Sequence, residues 1–212
     1  MIKPSKYLIL LYDYFLIHGF EHSMSEIANG INLTKKTLHN RYITRDYLEE
    51  QILAYWKTQL MNRFREKTEF SNHPVETLLL LIYELELSII NEFPMYEKEH
   101  LKYHKHHSLE SHFLFPVFLE IIQNGQQNGD FPIDMDTKKY TIFLIFNIIH
   151  LFFQDIIDHI GQLNRSSKRE RISIVNQLIQ VDYIEYLLSA NLTHKGKNKL
   201  KEIDLNLLFI VH

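Results

Sequence analysis

The sequence predicts an all-α protein: an N-terminal three-helix helix-turn-helix domain over residues 1–46, then a C-terminal helical bundle over 47–212, about nine helices in total. Three observations carry this. Six Gly and five Pro in 212 residues leave long stretches without a helix breaker. Apolar residues recur at spacings of three and four through those stretches. Ser, Thr, Asn, Gly and Pro fall where helices need caps and stops. With 45% hydrophobic and 23% charged residues the chain is globular, and its length allows a sizeable core. Cysteine is absent, which excludes a disulfide framework, thiolate metal ligands and a cysteine nucleophile, and suits a cytoplasmic setting. Net charge is -3, and residues 1–50 carry six basic and six acidic groups, so any nucleic-acid affinity must come from local clustering.

Pro4 and Ser5 open the first helix, about residues 5–18, with Leu8, Leu11, Tyr12 and Phe15 as its buried stripe and Gly19 as its stop. Lys3 and Lys6 before Tyr7–Leu11 superficially resemble a signal peptide. Asp13 interrupts that run and no small-residue cleavage site follows, so it is read as a helix. Ser23 with Glu26 fits a capping box that starts a second helix, about 24–31, with Ile27, Ala28 and Ile31 facing inward. Asn32 sits in the turn, as a residue that tolerates a left-handed conformation. Thr34 caps a third helix, about 34–41. Thr44 caps a fourth, about 45–67, with Tyr47, Leu48, Ile52, Tyr55, Trp56 and Leu60 as its apolar face.

From Thr34 to Arg45 there are four basic residues and no acidic one. A short helix dense in cations, amides and hydroxyls suits the DNA major groove, where bases offer donors and acceptors between flanking phosphates. The candidate contacts are Lys35, Lys36, Thr37, His39, Asn40 and Arg41, with Ser25 from the second helix. Arg45 joins them because a cation in a helix's first turn opposes the dipole and suggests a phosphate partner. Asn40 has the geometry to pair bidentately with adenine, and Lys36 to read guanine. Leu38 and Tyr42 are assigned to the core.

Residues 6–56 resemble the N-terminal domain of the TetR family of bacterial transcriptional regulators. The resemblance rests on the amphipathic first helix ending in Gly19-Phe20, then Ile27-Ala28, Leu33-Thr34-Lys35, Thr37-Leu38, Asn40, Tyr42 and Thr44-Arg45-Asp46 with Leu48. There are departures: His39 stands where tyrosine is usual, Lys36 where glycine is common, and Asn32 in place of the turn glycine. The stretch from Gly19 to Ile27 is one residue shorter than usual. The resemblance implies that Thr37, His39 and Asn40 divide between phosphate and base edges. It also implies a homodimer on a near-palindromic double-stranded DNA operator, most simply a repressor with no cofactor and no enzymatic activity.

Pro74 opens a fifth helix, about 74–92, with Leu78, Leu81, Ile82, Leu85 and Ile89 as its stripe, and Phe93-Pro94 ends it. A helix of about 95–107 follows. Another of about 109–128 carries Pro116, read as an internal kink. Gly129-Asp130-Phe131 leads to an eighth helix, about 136–160, and a ninth runs over about 168–190. The run Ile142–Ile157 contains Asn147, His150, Gln154 and Asp155, too polar for a membrane span of about 20 residues, so it is read as a bundle helix. By the family resemblance these last helices form a dimer interface, with Phe143, Phe146, Phe153, Ile172, Val175 and Ile179 as its candidates. The polar residues among them either sit satisfied at that seam or line an effector pocket. Pocket candidates are Tyr83, Glu86, Tyr103, Phe113, Phe118, Asn147 and His150, for a small hydrophobic or aromatic effector. The tail holds a basic patch, Lys195–Lys201, and an apolar run, Leu205–Val211, read as packing along the bundle.

The competing reading is a helical metal-dependent hydrolase built on His100, His104, His106, His107 and His112. His100 and His104 have i, i+4 spacing, but no His-Glu-x-x-His motif and no His-Asp dipeptide occurs, and Lys98, Lys102 and Lys105 repel a cation. No metal is therefore expected. A constitutive repressor without ligand response is the other alternative.

Overall fold

The computed structural model describes residues 5–69, 71–106, 109–149 and 181–203, with backbone alone for 100–106 and 181–183. Every regular element among them is helical. The chain divides into two compact units, Met1–Asn62 with Asn91–His106, and Arg63–Ile90 with His107–His212.

The first unit contains α1 (Lys6–His18), α2 (Met24–Gly30), α3 (Lys35–Arg41), the greater part of α4 (Arg45–Thr68) and α6 (Phe93–His106). Ser5 caps α1 by accepting from the Leu8 N–H. At the start of α2 the Ser23 hydroxyl accepts from the Glu26 N–H, and the Glu26 carboxylate accepts from the Ser23 N–H at 2.7 Å, the reciprocal box expected. Asn32 has φ 55°, the left-handed turn position assigned to it. Thr34 and Thr44 accept from the Thr37 and Tyr47 N–H groups and so cap α3 and α4. Leu11, Phe15, Ile27, Ala28, Leu38, Leu48, Ile52 and Trp56 are fully buried and form this unit's core. Tyr14 packs on the α-carbon of Gly30, where a built Cβ would lie 2.2 Å from its ring, so α1 and α2 approach as only glycine allows.

The first compact unit draws α6 in with the N-terminal helices. Glu92, just before α6, accepts from the Tyr12 hydroxyl at 2.7 Å and from the Trp56 indole N–H at 2.8 Å, which ties α1, α4 and α6 together. Lys57 pairs with Glu99, and Lys98 lies 2.8 Å from Glu49. These buried carboxylates are stable because each has donors.

In the second unit α5 (Pro74–Asn91) is buried over most of its surface from Val75 to Ile89, with Glu76, Thr77, Leu80 and Leu87 half-buried. Arg63, from the end of α4 that belongs here, reaches Glu84 at 2.9 Å and Ser88 at 3.2 Å. A single 3-10 turn over Leu109–Ser111 precedes α7 (Phe115–Gln127). Pro116 does not kink a longer helix: it occupies the first turn of α7, where its missing N–H has no intrahelical partner to lose. Pro94 likewise lies in the first turn of α6. Helix α8 is described over 137–149, α9 over Val181–Ser189 and α10 over His194–Glu202.

The basic tail segment is α10, capped by Thr193. It is seated on the turn after α7: the Thr193 N–H donates to the Asp130 carbonyl at 2.8 Å and its hydroxyl to the Gly129 carbonyl at 2.7 Å. A Cβ on Gly196 would fall 2.5 Å from that same Asp130 oxygen, so the approach requires glycine. The apolar run Leu205–Val211 lies outside the described residues.

Candidate nucleic-acid interface

Helix α3 is held from behind and open in front. Leu38 is fully buried and Tyr42 is 8% exposed, so both anchor the helix as assigned. Burial raises the Tyr42 phenol above its ordinary value. Lys35, Lys36, His39, Asn40 and Arg41 are exposed, and Thr37 is half-buried. The Thr37 hydroxyl lies 2.9 Å from that of Thr34, so it is oriented by the cap. Ser25 is half-buried in the first turn of α2. At that helix start the Ser23 backbone N–H holds the Glu26 carboxyl below its ordinary value. The open face of α3 therefore carries three cations, an imidazole and an amide, with no acid among them.

Arg41 is not a free side chain. Its guanidinium lies over the Tyr7 ring of α1, 4.2 Å from the centroid. Sequence reasoning missed Tyr7, because nothing local links it to a residue 34 positions on.

Arg45 has a different part from the one expected. Its Nε donates to Glu49 at 2.6 Å, one Nη to the His22 carbonyl at 2.6 Å and the other to the Phe20 carbonyl at 2.8 Å. The guanidinium also lies 5.1 Å from the Phe15 ring centroid. This arginine closes the α1–α2 loop onto α4, which occupies the guanidinium proposed for a phosphate. The unfavourable first-turn position is offset by Glu49 one turn on and by two backbone carbonyls.

Of the pocket candidates, Tyr83, Glu86 and Phe118 are buried in the second unit. Phe113 is half-buried, its ring 4.8 Å from that of His112. The Asn147 amide donates to the Phe143 carbonyl of its own helix at 2.7 Å. Tyr103 and His150 lie outside the described side chains. A cleft of about 270 Å³ is lined instead by Ser71, Asn72, His73, Pro74, Thr77, Ile121 and Asn124. Of the dimer candidates, Phe143 and Phe146 are 45% and 50% exposed on α8. Phe153, Ile172, Val175 and Ile179 lie outside the described residues.

His112 is buried, and its Nδ1 accepts from the Leu114 N–H at 3.3 Å. The side chains of His100, His104, His106 and His107 lie outside the description. Among the described residues no group of three His, Asp or Glu is placed to hold a metal ion, and no helix is long and apolar enough to cross a membrane.

No protein-family model and no curated protein matches the sequence. Solved structures do match the fold. A TetR-family transcriptional regulator from Cytophaga hutchinsonii is 15% identical, covers 90% of this chain and 98% of its own, and superposes with a TM-score of 0.58. The fatty acid degradation regulator FadR from Bacillus halodurans is 11% identical, covering 77% and 95%, with a TM-score of 0.62. The ketosteroid transcriptional regulator KstR2 of Mycobacterium tuberculosis is 14% identical, covering 88% and 93%, with a TM-score of 0.56. The chain thus has the all-helical fold of these regulators over most of its length.

Proposed function

We propose that this protein is a sequence-specific DNA-binding transcriptional regulator, acting as a homodimeric repressor released by a small apolar effector. The observation that carries the reading is the exposed, acid-free face of α3, held rigid by the Thr34 cap and the buried Leu38 and Tyr42. In this reading Lys35, Lys36, Thr37, His39, Asn40 and Arg41 meet the operator, with Ser25 beside them. Lysine and arginine neutralise phosphates, while Asn40 and Lys36 meet base edges. The likeness in fold to transcriptional regulators supports this.

A two-fold dimer places two such helices about one turn of DNA apart, roughly 34–36 Å, and so reads a near-palindrome. The exposed Phe143 and Phe146 on α8 supply an apolar face for a second copy. Effector binding in the second unit then favours a dimer geometry with the wrong spacing, and DNA and effector oppose each other by differential affinity for two states. Ketosteroid and fatty-acid regulators among the structural neighbours agree with an apolar effector. Here the boundary between the DNA-binding and effector parts lies near residue 46.

The test is selection of bound genomic fragments by the purified protein, with a Lys36→Ala, Asn40→Ala double variant alongside. Enrichment of one palindromic sequence by the wild type and not by the variant supports the reading. Weak, salt-sensitive binding shared by both refutes it. A thermal-shift screen of apolar compounds, followed by DNA release, tests the effector part separately.

A further inference from the structure

Five glutamates are buried among the described residues, and four have at least one oxygen paired, although the second oxygen of Glu99 is buried without a partner. Glu49 meets Arg45 and Lys98, Glu84 meets Arg63, and Glu99 meets Lys57. Glu92 accepts from Tyr12 and Trp56. Glu86 is the exception. It is the most deeply buried of the five, with 0% exposure, and neither carboxyl oxygen has a hydrogen-bond partner.

Its position sharpens the contrast. Glu84 and Glu86 lie two residues apart on α5, so they project about 160° apart around the helix. The Glu84 side is stapled by Arg63, which also reaches Ser88. The Glu86 side carries Tyr83 one turn earlier and Ile82 and Ile89 close by, all buried. A buried polar group without a partner is a liability that native cores rarely keep, and it calls for a specific reason. Burial raises the Glu86 carboxyl well above its ordinary value. Among the described residues Glu86 is therefore an acid set among apolar and aromatic side chains, with no cation paired to it.

We propose that Glu86 is the anchor of the effector site and that the effector is an apolar organic cation whose ammonium or amidinium group takes the place that Arg63 fills at Glu84. This rests on the effector reading above and narrows it to a chemical class. A bulky apolar body replaces side-chain contacts in the core, and the charged nitrogen supplies both the counter-charge and the donors that the two oxygens lack. A neutral ligand supplies donors without the counter-charge, and an anionic one opposes Glu86 outright.

The test uses one alkyl skeleton with three head groups: decylamine, decanol and decanoate at micromolar concentrations. Each is measured by thermal shift and by displacement of an apolar fluorophore from the wild type, Glu86→Gln and Glu86→Leu. The amine should raise the wild-type midpoint and bind at least about tenfold tighter than the alcohol, as a charge-assisted hydrogen bond implies. That preference should vanish in both variants, which keep the volume and lose the charge. An amine preference that persists in the variants, an alcohol that binds as well as the amine, or no amine binding at all overturns the inference. A selective response to decanol or decanoate would overturn the cation while leaving an apolar effector standing.

Discussion

Replacing Arg45 by alanine separates two accounts of the same residue. Its guanidinium makes three hydrogen bonds at 2.6–2.8 Å, one to a carboxylate and two to backbone carbonyls, with the side chain 23% exposed. Hydrogen bonds to charged groups contribute about 1.5–3 kcal/mol each. The three are not additive, and water can reach the half-buried Phe20 and His22 once the side chain is gone, so a net loss of about 2–4 kcal/mol is expected. The single tryptophan, Trp56, is fully buried in the same unit and reports its unfolding directly by fluorescence. At a urea slope of about 1–3 kcal/mol per molar, the midpoint should fall by roughly 1 M or more at fixed protomer concentration. Arg45→Lys should recover only part of this, because an ammonium cannot span three acceptors. In the absence of urea, the dependence of DNA affinity on salt should keep its wild-type slope. An unchanged urea midpoint together with a shallower salt slope would refute the clamp and return Arg45 to the phosphates.

Arg41→Ala should lower the salt slope of DNA binding by about one unit per protomer, since each neutralised phosphate contributes about 0.9. Tyr7→Leu should weaken DNA binding in the same direction while Tyr7→Phe does not, because the ring that holds the guanidinium is what matters. Gly196→Ala should destabilise the protein by about 1–3 kcal/mol through overpacking against the Asp130 carbonyl, read by thermal denaturation. Glu86 carries a raised folded-state value, so its contribution is most favourable below the ordinary value of 4.5 and is lost as pH rises from there toward the folded value. Glu86→Gln is neutral throughout, so its stability advantage over the wild type should widen as pH rises from 4.5, followed by urea unfolding across pH.

The parts of the fold legible in the sequence are those that local chemistry decides. The Ser23–Glu26 box, the Thr34 and Thr44 caps, Asn32 at φ 55° and Pro74 at the start of α5 each follow from one to four neighbouring residues. The burial of Leu38 and Tyr42 follows from helical periodicity. Pro116 reads as an internal kink from the sequence alone, because proline both kinks helices and opens them and local chemistry does not say which. The 3-10 turn before it decides the matter.

What the sequence withheld lies at long separation. Glu92 joins Tyr12, 80 residues away, to Trp56, 36 away. No periodicity announces such a hub, and so α6 was not expected to pack with the first helices. The clamp made by Arg45 is not legible in the sequence because two of its acceptors, the carbonyls of Phe20 and His22, are backbone atoms with no sequence signature. For the same reason the seat of α10 on the Gly129–Asp130 turn was invisible beforehand.

The most direct test of the central claim is a fluorescence-anisotropy titration of the selected palindrome, its half-site and a scrambled duplex with wild type and the Lys36→Ala, Asn40→Ala variant. The account predicts two protomers per palindrome, much weaker binding to the half-site, and loss of discrimination between palindrome and scramble in the variant while salt-sensitive binding persists. Equal affinity of the wild type for palindrome and scramble, or a variant that discriminates as well as the wild type, would contradict the assignment of α3 as the reading helix.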